Sequence, residues 1–225
     1  MERVVLGIDT ATREASIALS GPTAAAVRRL PEGAWQAREL LSAIEVLLRE
    51  AGLAKGDIGG VGVAAGPGSF TGVRIGLATA KGLGFALDIP VEGISTLEAT
   101  ARAVAPALGG RAAVICAALR AGRGEVYGAL FMAGAAGIAR LSPDAAWRPE
   151  ELAKRLPPGA VTAGDGSTAL RAAGVCSASL DVPPLAPAIA ARVRELIPAG
   201  TGYRAGGPGP NYVRPADADA SRKRP

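Results

Sequence analysis

Ala65-Gly66-Pro67-Gly68-Ser69-Phe70-Thr71-Gly72-Val73-Arg74-Ile75-Gly76 is the stretch on which the fold turns. The apolar run just before it, Val61 to Ala65, predicts a short buried strand. The run after it, Val73 to Phe85, predicts a helix. A glycine-rich turn between strand and helix gathers backbone N–H groups at a helix start, which suits an anion or a close-packed partner chain. The loop is not a Walker A motif, because Gly72 is followed by Val73-Arg74 rather than Lys-Ser/Thr, and it is not Gly-x-Gly-x-x-Gly. Two readings stand side by side. One is an anion or partner site with Ser69 or Thr71 capping; the other is a tight turn in which glycine supplies only the dihedrals.

The following helix adds a second pattern. Gly72, Gly76, Ala80 and Gly84 recur every four residues and form a stripe of small residues along one side. Glycine costs about 1 kcal/mol against alanine in a helix interior, so such a stripe needs a compensating close approach of another backbone. That neighbour is either the sheet of the same lobe or a helix of another subunit.

Outward from this centre the chain alternates. Arg3 to Ile8 predicts a buried strand, Asp9-Thr10-Ala11-Thr12 a turn, and Ala15 to Leu19 and Ala24 to Arg28 two more strands. Gln36 to Glu50 predicts a helix, with Leu40, Leu41, Ile44, Leu47 and Leu48 on one face. Pro90 to Ile94 predicts a strand and Thr96 to Ala105 a helix capped by Ser95 or Thr96. The order β-β-β-α-β-α-β-α implies a mixed sheet with helices on its faces. Near residues 106–110 the plan restarts as a fainter echo. Ala112 to Leu119 and Glu125 to Met132 predict a strand pair, and Pro149 to Arg155 a short helix. Ala160 to Ala163 predicts a strand ending in Gly164-Asp165-Gly166-Ser167, with helices at Thr168 to Ala173 and Ala188 to Leu196. Gly200 to Pro210 reads as irregular, and Tyr212-Val213 as a last extended piece. The division expected is 1–105 for the first lobe, with the glycine loop and partner-binding helices, and 106–225 for a smaller second lobe and a basic tail.

Composition narrows the chemistry. The 225 residues contain no histidine, which removes His-based general base catalysis, Ser-His-Asp triads and His-x-x-x-His metal sites together. Cys116 and Cys176 form no Cys-x-x-Cys pair and are expected to be reduced, partly buried thiols of a cytoplasmic protein. The net charge of +5 and the terminal run Arg222-Lys223-Arg224 permit contact with RNA or an acidic partner. An RNA-binding module carried by these arginines is a third reading, but no aromatic stacking platform is visible in the sequence. No signal peptide or membrane span is expected; the most apolar region, residues 73–91, is broken by Arg74, Lys81, Asp88 and Pro90.

In actin- and hexokinase-like ATPases the first turn is Asp-x-Gly-Ser/Thr, where Asp serves the metal and Gly admits a phosphate. Here Ala11 stands at the glycine position after Asp9-Thr10, and Asp165, in Gly164-Asp165-Gly166-Ser167, reads either as the second-lobe counterpart or, the favoured reading, as an ordinary turn. An actin-like ATPase or small-molecule kinase would rest on these two carboxylates. Three segments together resemble the bacterial TsaB (YeaZ) family: Leu6-Gly7-Ile8-Asp9-Thr10-Ala11-Thr12, the glycine loop from Gly66 to Gly76, and Gly93-Ile94-Ser95-Thr96-Leu97. Gly124-Glu125-Val126-Tyr127 and Tyr212-Val213-Arg214-Pro215 add fainter marks.

The resemblance implies an α/β, two-lobed actin-like (ribonuclease H-like) fold. Each lobe would be a five-stranded-type mixed sheet flanked by helices, with the second lobe reduced. It also implies a non-catalytic subunit of tRNA N6-threonylcarbamoyladenosine synthesis that requires no cofactor, ATP or Mg²⁺ entering only with the complex. Its partners would be a TsaD-like catalytic subunit, a TsaE-like ATPase, a second copy of itself when alone, and tRNA indirectly. Leu40, Leu41, Ile44, Gly72, Gly76, Ala80 and Gly84 would then face a partner. Asp9, Thr10, Gly66, Gly68, Ser69, Thr71 and Gly72 would remain as a secondary anion or nucleotide site.

Overall fold

β1 (Val4–Asp9) is buried at every position, as the central strand of a sheet covered on both faces must be. It pairs antiparallel with β2 (Ser16–Ser20), which pairs antiparallel with β3 (Ala25–Arg29). On its other side it pairs parallel with β4 (Ile58–Ala64), and β4 pairs parallel with β5 (Val91–Ile94). Parallel neighbours need crossovers, and α1 (Ala37–Glu50) and α2 (Phe70–Leu87) supply them. This computed structural model describes residues 3–22, 24–31, 37–175, 177–197 and 206–213.

After α3 (Thr96–Val104) the plan repeats. β6 (Ala113–Gly122), β7 (Glu125–Gly134) and β8 (Gly137–Arg140) run antiparallel, with β9 (Ala145–Trp147) added beside β7. Then come α4 (Pro149–Ala153), β10 (Val161–Ala163), α5 (Ser167–Ala172), β11 (Ser179–Leu180) and α6 (Ala186–Leu196). The strand orders are β3-β2-β1-β4-β5 and β8-β7-β6-β10-β11. Corresponding pairs have the same sense, so the echo heard in the sequence is a duplicated topology.

The closing helix of each half packs on the sheet of the other. α3 buries Leu97, Ala101 and Val104 with Ile115, Ala117 and Phe131 of the second sheet. α6 buries Ile189, Ala190 and Val193 with the first. Gly7 and Gly62, paired across β1 and β4, make the room for it. A Cβ at Gly7 would strike the Ala186 carbonyl, and one at Gly62 would lie 2.7 Å from Val193 Cγ2. The line at residue 105 therefore separates the two sheets in sequence, while α3 and α6 each pack across it.

Several sequence expectations shift. The helix after the glycine loop begins at Phe70 rather than Val73, because Ser69 caps it by accepting from the Gly72 N–H. The second sheet has six strands rather than five. β8, β9 and β11 were not expected; they are two to four residues long, too short to show alternation. Tyr212 and Val213 form no strand, although the Asn211 N–H donates to the Ala65 carbonyl at 2.7 Å at the end of β4. Gln36, Cys176, residues 200–205, and Arg214 onward, including Arg222-Lys223-Arg224, lie outside the described residues.

Candidate functional site

The glycine loop and the first turn are built against each other. The Thr10 hydroxyl donates to the Gly72 carbonyl at 2.7 Å, and the Ser69 N–H donates to the Ala11 carbonyl at 2.8 Å. A Cβ at Gly72 would collide with the Thr10 carbonyl, and one at Gly68 with the Ala11 carbonyl. One turn further on, a Cβ at Gly76 would meet the Thr10 hydroxyl and lie 3.2 Å from Val63 Cγ2. Glycine is required at these positions because α2 lies directly on the end of β1.

Three of the four members of the small-residue stripe pack inside the chain. Gly72 and Gly76 face the chain's own first turn, and Ala80 is fully buried in the same core. Gly84 is buried as well. Leu40 and Ile44 lie in that core too. These six are buried within the chain; small residues serve close backbone approach equally within a chain and between chains, and at Gly72 and Gly76 the approach is internal. Leu41 alone of the seven is exposed. The outward side of α2 carries Arg74, Ala78, Gly82, Phe85 and Ala86, and α1 packs beside it. Phe85 is 76 % exposed.

Asp9 is fully buried. Its Oδ1 accepts from the Ala11 and Thr12 N–H groups at 2.9 and 3.3 Å, and its Oδ2 from the Thr12 hydroxyl at 2.6 Å. Burial pushes its carboxyl up to about 6, against these three hydrogen bonds. The backbone donors that a phosphate turn would offer are thus closed onto Asp9 itself. Among the described residues, no three His, Cys, Asp or Glu side chains gather where a metal ion could be held. The residues of this turn do not fit a metal–nucleotide cradle. Thr10 and Gly66 are buried with it, Ser69 and Thr71 are exposed, and Gly68 is half-buried.

A cleft of about 970 Å³ opens between the lobes. Ala11 to Glu14, Gly68 and Ser69 line one wall; Leu119 to Ala121, Gly164, Asp165 and residues 179–183 line the other. The second wall repeats the construction of the first. Gly166 donates its N–H to the Ala118 carbonyl at 3.0 Å, and Asp165 Oδ1 accepts the Arg120 N–H at 2.9 Å. Asp165 is therefore occupied as a turn-former.

Across the lobes runs a polar lock that no local motif announced. Asp144 Oδ2 accepts from the Ser95 hydroxyl and from Asn211 Nδ2, both at 2.6 Å, and its Oδ1 pairs with Arg140 at 2.5 Å. Arg140 also pairs with Glu98 at 3.6 Å. Glu98 joins Arg102 and Arg192, at 3.0 and 3.1 Å, and Glu195 pairs with the same two arginines. The lock ties α3, α6, the β8–β9 connection and the segment 206–213 together.

The profile of the family described as "TsaD: tRNA N6-adenosine threonylcarbamoyltransferase" matches residues 30–171, more than half of the chain. The chain is 35 % identical to the tRNA threonylcarbamoyladenosine biosynthesis protein TsaB of Escherichia coli (strain K12), over 68 % of this chain and 62 % of that one. It is 40 % identical to the protein of the same description from Bacillus subtilis (strain 168), over 40 % and 38 %. The matches thus span less than two thirds of the length of these curated relatives. The solved structure of YeaZ from Pseudomonas aeruginosa superposes with a TM-score of 0.80 at 28 % identity, covering 93 % of this chain and 99 % of that one.

Proposed function

The chain belongs to the TsaD-type family matched above, as a TsaB (YeaZ) member with an actin-like fold, and from that premise we propose that it is a non-catalytic subunit of tRNA N6-threonylcarbamoyladenosine synthesis. Its role is to bind and activate a TsaD-like catalytic subunit in the cytoplasm. A TsaE-like ATPase joins the assembly, tRNA is met through the complex, and the chain alone pairs with a second copy of itself. It carries no reaction step and requires no cofactor. Among the described residues no helix is long and apolar enough to cross a membrane.

One observation carries the reading: the loop residues that phosphate transfer would need are committed to seating α2, and the outer side of that same helix exposes Phe85. An exposed large apolar side chain between small residues is a surface that another helix can cover. An actin-like ATPase or kinase would need Asp9 ionised and open to the cleft, and Asp9 is closed off by its own turn. Leu41 on α1 and Phe85 on α2 are the residues assigned to the partner surface.

Size-exclusion chromatography with a TsaD subunit tests this. The wild-type chain should co-elute with it, and Leu41→Arg with Phe85→Arg should abolish co-elution while the fold is kept. Co-elution unchanged in the double variant would refute the surface assigned.

A further inference from the structure

The chain has three Phe, three Tyr and two Trp in 225 residues, and two of these eight meet at its surface. Phe70 opens α2, and Tyr212 lies in the segment 206–213 that crosses the glycine loop. Their rings stack at 5.4 Å between centroids and 26° between planes. Each side chain remains 44 % exposed. Arg74, one turn along α2, lies 3.7 Å over the Phe70 ring and donates Nε to the Tyr212 hydroxyl at 2.9 Å. Among the described residues no carboxylate pairs with Arg74, so its outer nitrogens keep their charge toward solvent. The arrangement is preformed: Asn211, next to Tyr212, is anchored to Ala65, Gly66 and Asp144.

We propose that Phe70, Arg74 and Tyr212 form a stacking site for an unpaired nucleobase of single-stranded RNA, with the Arg74 guanidinium set for the adjoining phosphate. This rests on the assignment to tRNA modification and goes beyond it: besides the tRNA met through the complex, the chain has a contact of its own with the RNA. The chemistry favours RNA over a protein. Phe70 is stacked on Tyr212 and carries Arg74 over it, so the exposed Tyr212 ring offers the π surface, which every base can use, and an unneutralised guanidinium offers charge to the backbone. The chain is basic overall, and Arg214, Arg222, Lys223 and Arg224 follow Tyr212 in the sequence. The site lies at the opposite end of α2 from Phe85, roughly 22 Å away at 1.5 Å per residue, so RNA and a partner on Phe85 need not compete.

Fluorescence anisotropy with a labelled anticodon stem-loop RNA and the full chain tests the site. Stacking is worth about 1–3 kcal/mol per base, so Tyr212→Ala should weaken binding roughly 5- to 150-fold. Tyr212→Phe keeps the ring and should stay within about twofold of wild type by the same argument. Arg74→Gln should lower the salt slope of log K by about 0.7, the value for one single-strand phosphate contact. A fully duplex RNA, whose bases are closed, should compete weakly. Wild-type chain that does not bind the stem-loop, or Tyr212→Ala that binds it as wild type does, overturns the proposal. So does loss of TsaD co-elution by Tyr212→Ala with RNA binding intact, which would make this a protein-docking surface. The anisotropy measurement contains no TsaD and no transfer reaction, so a failure to bind RNA there would leave the activator role standing.

Discussion

Replacing Gly76 by alanine and, separately, Gly82 by alanine should move stability in opposite directions, although both lie inside α2. At Gly82 nothing lies within 4 Å of an added Cβ. Only the helix preference acts there, and Gly82→Ala should stabilise by about 1 kcal/mol. At Gly76 the same gain is offset twice. The new methyl would meet the Thr10 hydroxyl and press on Val63 Cγ2 at 3.2 Å, an overpacking that costs about 1–3 kcal/mol. Moving the hydroxyl also breaks its hydrogen bond to the buried Gly72 carbonyl, which costs about 1–3 kcal/mol. The net loss is roughly 1–5 kcal/mol, separating the variants by about 2–6 kcal/mol. Urea unfolding followed by circular dichroism reads both midpoints, with ΔG taken at a common slope. Gly76→Ala as stable as wild type would refute the internal seating of the stripe. If that variant also lost only its partner, the stripe would belong to an interface after all.

Three other perturbations follow from the same geometry. The native Asp9 carboxyl sits at about 6 against an ordinary 3.8; the native state therefore holds its proton more tightly than the unfolded chain. Its contribution is full at and below about pH 4 and falls by roughly 3 kcal/mol as pH rises through 6. Asp9→Asn should remove that fall from the pH profile of the urea midpoint, and an unchanged profile would contradict the burial argument. Asp144→Ala removes the acceptor shared by Ser95, Asn211 and Arg140 and should cost about 3 kcal/mol. It should also speed proteolysis near the segment 206–213; wild-type protease resistance would show that the lock does not hold that segment. Burial pushes the Cys116 thiol up to about 12, so in a Cys176→Ser background Ellman's reagent should label nothing until urea unfolds the chain; prompt labelling would contradict its burial.

Much of this architecture is readable along the chain. The apolar run of β1 and the three-four spacing of Leu40, Ile44 and Leu47 specify their elements locally, so strand and helix follow from neighbours in sequence. The second half is fainter because its edge strands are two to four residues long and rich in small residues. The direction of the Gly72–Gly84 stripe was not legible, since spacing says that a backbone comes close and not whose backbone it is. Gly7 and Gly62 show the same limit: the helix they admit lies in the last fifth of the chain. The aromatic platform was missed because it unites Phe70 with Tyr212, and the only trace was Tyr212 within the family's C-terminal mark. Asp144 likewise gathers partners from three distant segments and belongs to no motif.

The central claim is that this chain activates a catalytic partner and performs no chemistry itself. Threonylcarbamoyl transfer to tRNA by a TsaD subunit that is inactive alone, measured with and without the purified chain, tests it most directly. The account predicts transfer only when the chain is added, retained with Asp9→Asn and lost with Leu41→Arg plus Phe85→Arg. Transfer that is indifferent to the chain, or that disappears with Asp9→Asn while the complex still forms, would contradict it.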